Sequence, residues 1–197
     1  MRLVLRQFFA ISLLACCAVS AAAQSEKALP PVYDQAKDET TYFLSPMMEV
    51  KRSDPSSQKI LDRETVGPRN IPIDYLRMVV YYKTKGRSSA VKPESVVIAI
   101  ESATFSNFQF RQYRDLSVTT DTEKMNLGKM AITGQDSRIH NIIGVRYKET
   151  LELPIATADY KKIIASKTVK MLLGDTSFSL LKDQLKALRA IAIKHLD

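Results

Sequence analysis

Ser179-Leu180-Leu181-Lys182 carries the Ser-x-x-Lys spacing that, in penicillin-recognising enzymes, sets a nucleophilic serine at a helix start with a lysine one turn along to manage its proton. The same spacing recurs at Ser56/Lys59 and Ser89/Lys92, so it is cheap in a chain rich in both residues. The companion elements are missing: Lys83-Thr84-Lys85-Gly86 is not Lys-Thr-Gly, and no Ser-x-Asn occurs. Ser179 is therefore expected to cap the helix that follows, with Lys182 on its solvated face. No catalytic residue is assigned. A second route to hydrolysis would be scattered carboxylates, such as Glu101 and Asp115, converging in a deep pocket.

Metal chemistry finds no foothold in the pattern. His140 and His195 lie far apart, and neither has an acidic or histidine partner at helical or hairpin spacing. They read as a loop histidine and a helix-end histidine, the latter near the negative pole of the helix dipole. The acids form no calcium loop. Gly128 and Gly134 are the closest glycines, but Gln135-Asp136 follows where a phosphate loop needs Lys-Ser/Thr. No metal and no cofactor are assigned.

The run Phe105, Phe108, Phe110, Arg111, Tyr113, Arg114 is the strongest binding signal. Aromatic rings interleaved with arginine can stack on bases or sugars. In a strand, Phe108 and Phe110 share one face, as core residues do. That leaves Arg111, Tyr113 and Arg114 as candidate binding residues at an exposed edge, where a planar guanidinium fork suits carboxylates and phosphates.

Composition sets the compartment and the size. The chain has 197 residues, 45% hydrophobic and 25% charged, with a net charge of +8. This is an ordinary globular composition, long enough for one real core. Met1 to Gln7 is a positive start, Phe8 to Val19 an apolar run, and Ala21-Ala22-Ala23 a small-residue cleavage site before Gln24. The run is too short to span a bilayer as a helix. Residues 1–23 are expected to be a secretory signal cut after Ala23. Its loss removes Arg2 and Arg6 and brings the charge to +6. Cys16 and Cys17, the only cysteines, leave with it, so the mature protein has neither disulfide nor thiol. In a competing reading, Leu13-Leu14-Ala15-Cys16 is a lipobox and Cys16 carries a lipid. The signal and the lack of an Asn-x-Ser/Thr sequon point to a bacterial periplasmic or secreted protein. The expected partners are an envelope protein or an anionic polymer; nucleic acid is not expected.

The elements follow from periodicity. Residues 24–38, with Pro30-Pro31, read as an extended tether, and 39–197 as a single β-rich domain. Alternation predicts a strand from Glu39 to Pro46, and another through Leu76, Met78, Val80 and Tyr82. A third runs through Val96, Ile98 and Ile100 toward Phe105. Leu116–Thr120 and Met125–Ile132 flank a turn, and Ile139–Tyr147 and Glu149–Leu153 are further strands ending before Pro154. A short helix is expected near Ser57–Arg63. Thr157 caps another, and Val169 to Leu180 is a hairpin about Gly174-Asp175 with Val169, Met171, Phe178 and Leu180 on one face. Leu181, Leu185, Leu188, Ala192 and Leu196 form the buried stripe of a final helix, widened by Ile191 and Ile193.

Asp38-Glu39-Thr40-Thr41, together with Ala165-Ser166-Lys167-Thr168-Val169 running through Gly174 and Phe178-Ser179-Leu180 to Leu185-Lys186-Ala187-Leu188, resembles uncharacterised exported bacterial proteins. The resemblance covers the two ends of the mature chain and implies no activity. The fold expected is β-rich α+β, an antiparallel sandwich or curved sheet closed by the C-terminal hairpin and amphipathic helix. The function expected is a non-catalytic binding module of a bacterial envelope, with a small hydrolase or a lipid-anchored scaffold as alternatives.

Overall fold

The computed structural model describes residues 29–52, 75–87, 92–105, 108–140 and 144–196. The expected signal segment with Cys16 and Ala23, and the helix expected near Ser57–Arg63, lie outside them. Leu76, Met78, Val80 and Tyr82 are all buried on one face of β5 (Tyr75–Lys85), as the alternation requires. β6 (Ser95–Thr104) buries Val96, Ile98 and Ile100 in the same way. β5 and β6 are central in a curled half-barrel sheet of seven strands. Its path is β1 (Val32–Asp34), β2 (Glu39–Phe43), β5, β6, β10 (Gly144–Ala156) and β9 (Ala131–His140), with β3 (Met48–Glu49) also on β5. The second sheet runs β4 (Lys51–Arg52), β12 (Thr176–Leu180), β11 (Val169–Leu173), β7 (Asp115–Thr120) and β8 (Lys124–Lys129). Among the described residues two helices, α1 (Thr157–Ala165) and α2 (Lys182–Leu196), join the β-rich fold. The buried faces of both sheets and both helices form one core. Among the described residues no helix is long and apolar enough to cross a membrane.

The C-terminal hairpin has the expected register, Val169 with Leu180, Met171 with Phe178 and Leu173 with Thr176. Gly174 takes φ +58° while Asp175 stays negative, the combination a II′ turn needs. Several boundaries move. Val32–Asp34, read as tether, pairs with Glu39–Thr41 as β1. The strand expected over Ile139–Tyr147 is two strands that turn back on each other, with Gly144 opposite His140. β10 runs on through Pro154, opposite Val97, because pairing with β9 has already ended at Glu152, and an edge position tolerates a missing N–H. The segment from Met125 to Ile132 is broken at Met130, where the chain changes sheets.

Both expected helix caps are replaced. Thr157 spends its hydroxyl on the Pro93 carbonyl, 2.6 Å away, and α1 has no side-chain cap. Ser179 lies on β12, and α2 begins instead with Gln184 reaching back to accept the Leu181 N–H at 2.8 Å. Leu181 and Ile193 are exposed; the buried face is Leu185, Ala187, Leu188, Ile191, Ala192 and Leu196.

The chain passes from the large sheet to the small one through residues 105–114 and returns at Met130. Glu149 of β10 is 2% exposed, and its Oε1 accepts the backbone N–H groups of Gln109 at 2.7 Å and Phe110 at 2.9 Å. The Gln109 side chain then joins the sheets, accepting from Ser102 of β6 and donating to Thr176 of β12. Phe110, fully buried, enters the core at this point. Leaving a buried N–H without its acceptor costs about 1–3 kcal/mol. Glu149→Ala strips two of them and should lower the unfolding free energy by about that amount for each. Glu149→Gln keeps one acceptor oxygen and should lose less. Chemical denaturation of the two variants measures this; equal losses would mean that the carboxylate does not hold the crossing.

Candidate functional site

With Ser179 on a strand and Lys182 as the first residue of α2, the Ser-x-x-Lys pair does not share a helix. Glu101 and Asp115 belong to different sheets, on β6 and β7. His195 sits in the last turn of α2, where burial, and then the Lys194 charge, hold it below the usual histidine value. His140 closes β9.

Residues 108–114 form turns and bends rather than a strand, so Phe108 and Phe110 do not share a strand face. Phe110 is core. Phe108 is half-buried, edge-on to Tyr147 and beneath the Arg111 guanidinium, 5.0 Å from its ring. Arg111 and Tyr113 are exposed. Arg114 differs. Its Nε donates to the Met130 carbonyl at 2.8 Å, its Nη1 to the Arg111 carbonyl at 2.6 Å, and its own carbonyl accepts the Met130 N–H. It joins the outgoing crossing to the returning one. Tyr113 is placed by Gly174: a Cβ there would come within 2.4 Å of the Tyr113 carbonyl oxygen.

The outward face of the large sheet carries a charge cluster. Arg77 and Arg146 stand over the Tyr75 ring at 4.2 and 5.1 Å, and the Tyr75 hydroxyl donates to Glu101 at 2.7 Å. Lys148 reaches the other Glu101 oxygen at 2.6 Å. Burial alone would raise the Glu101 pKa. The hydrogen bonds from Lys148 and Tyr75 and the charges of Lys148 and Arg77 outweigh it and hold the carboxyl below the usual 4.5. Tyr75 and Tyr81 are both pushed up, first by burial and then by their hydrogen bonds to Glu101 and Glu152.

A cleft of about 620 Å³ opens at the end of the small sheet, against the start of α2. Val169, Leu180 and Leu185 contribute apolar lining. Four cations, Lys167, Lys170, Lys182 and Arg189, line it as well, with hydroxyls from Thr119, Thr120 and Ser179 and, among the described residues, no carboxylate. Arg189 is held in place by donating to the Ile164 carbonyl and, at 2.6 Å, to the Ser166 carbonyl at the end of α1. Asp121, the nearby acid, accepts the Lys167 backbone N–H at 2.8 Å. Alternation puts Lys170 on the outward face of the hairpin, and the helical stripe leaves Lys182 on a solvated face, each by itself. Their convergence with Lys167 and Arg189 depends on the hairpin and α2 folding back together, which no local spacing encodes.

No protein-family model, curated protein or solved structure matches the chain.

Two outcomes follow from these placements. Arg114→Ala should lower the melting temperature, since it removes both side-chain donors at the crossings, whereas Arg111→Ala should barely change it; thermal denaturation separates them. The depressed Glu101 carboxyl contributes stability that is present above the ordinary value of 4.5 and lost as pH falls through its lower folded value. Glu101→Gln should flatten that acid limb of the stability–pH curve, and an unchanged limb would count against the cluster as its source.

Proposed function

We propose that the chain is a non-catalytic binding module of a bacterial envelope, periplasmic or secreted, which takes an anionic polymer in the basic cleft. The carrying observation is the lining of that cleft: four cations around apolar residues, with no acid among the described lining residues. The signal-like first twenty-three residues support export. Cations that converge on one concave surface add their fields, and Arg189, fixed by two carbonyls, needs little ordering to meet a ligand. Lys167, Lys170 and Lys182 remain solvated, so they supply attraction without a buried-charge penalty.

Calorimetric titration with a polyuronate chain tests this. Affinity should fall steeply with added salt, because the Debye length shrinks from about 8 Å at physiological ionic strength to about 3 Å at 1 M. Lys170→Glu with Lys182→Glu should weaken binding about tenfold or more, while the melting temperature holds because both side chains are exposed. Lys124→Glu with Lys129→Glu makes the same change in net charge on β8 and should have a much smaller effect. Unchanged affinity in the first pair would remove the cleft from consideration, and a loss on Arg111→Ala would place the ligand at the crossing instead.

A further inference from the structure

We infer that β9 is a self-pairing edge: two copies of this chain join antiparallel through residues 134–140, with Ser137 of each opposite Ser137 of the other. β9 ends the path of the large sheet, and no described strand pairs with its outer side. It is ten residues long, and Ile139 on it is 84% exposed. A long edge of this kind offers a row of backbone donors and acceptors to another strand. The flat part starts at Gly134, because the register shift opposite Thr150/Leu151 inserts Thr133 as an extra residue and bends the strand there.

The charges select the partner. Across the outward face of the sheet, Arg77 of β5 pairs in register with Glu101 of β6. Glu101 is bonded to Lys148 of β10, and Lys148 stands opposite Asp136 of β9. Sign alternates at every strand, and the row stops at the edge on a carboxylate. The next strand should supply a cation at that place. Pairing β9 with itself about Ser137 sets Asp136 against Arg138 of the second copy, and Arg138 against its Asp136. Arg138 also gains, because within its own sheet it stands opposite Arg146, a like charge. In the single chain it turns back onto Asp136, 2.6 Å away. Edge charges normally discourage strand addition. Here two opposite charges two residues apart are complementary to their own two-fold copy and so permit it.

Sedimentation equilibrium over a range of concentrations tests the pairing on four samples that share the same N-terminal segment. The wild-type chain should show a monomer–dimer equilibrium. Arg138→Asp opposes two carboxylates across the two-fold and should weaken self-association about tenfold or more. Its melting temperature should hold, because the new acid faces Arg146. Asp136→Arg should lose self-association as well. Mixing the two variants sets acid against base at both positions and should restore dimers, now as heterodimers. A wild-type chain that stays monomeric, an Arg138→Asp chain that associates like wild type, or a mixture that does not associate would each overturn the inference.

Discussion

The buried carboxylate of Glu149 is the contact on which the relation of the two sheets depends. A carboxyl group out of water is costly unless its oxygens receive hydrogen bonds. Oε1 receives two, from consecutive amides of the crossing segment, while the buried Oε2 has no partner among the described residues. The energy is thus tied to one path of the chain between the sheets. Gln109 is held at its backbone by Glu149 and uses its side chain to touch both sheets. Phe110 follows directly into the core. Arg114 and Met130 then bind the outgoing and returning crossings to each other through two backbone–side-chain and backbone–backbone bonds in opposite directions. One polar side chain at each end of a short segment, Glu149 and Arg114, ties the crossing to the sheets.

A similar substitution of side chain for backbone occurs where β2 ends. Leu44 still donates to Val80, but Pro46 follows and the ladder cannot continue. The buried Ser45 hydroxyl accepts the Val80 N–H at 2.8 Å, and Val50 resumes the backbone pairing at Leu76. Two short strands therefore cover one long edge of β5 without leaving a buried donor bare at the break. Residues 44–50 are anchored in this way to β5 of the large sheet, and β4 then joins the small one.

The sequence made the strand faces legible because the period of two is local. Leu76 to Tyr82, Val96 to Ile100 and the Gly174 hairpin could each be oriented from their own residues. Its failures were non-local. Ser179 has the residue type of a cap, but the hairpin register extends β12 through Leu180 and carries the serine out of capping reach, so Gln184 takes over. Leu181 and Ile193 fit a helical stripe, yet they fall beyond the width of surface that the sheets cover. Arg114 looked like one of three binding residues because nothing in its neighbourhood announces Met130, sixteen residues on, as its partner. The basic cleft was hidden for the same reason: its cations come from the loop before β11, from β11 itself and from two turns of α2.

Separation of the two surfaces gives the fold a further property. The cleft is built from β7, β11, β12 and α2, while the self-complementary edge is β9 of the other sheet, and they share no residue. Joining two chains at β9 lengthens the large sheet and leaves both clefts open. A polymer is a repeating ligand, so a chain long enough to reach from one cleft to the other meets the second at an effective concentration set by its own length and stiffness. Modest attraction from solvated lysines, which for a single cleft is weakened by salt and side-chain entropy, is then multiplied without any new contact. On the proposed reading, dimerisation through the edge and recognition through the cleft reinforce each other, and the few cations that converge at each cleft suffice to hold a long anionic ligand.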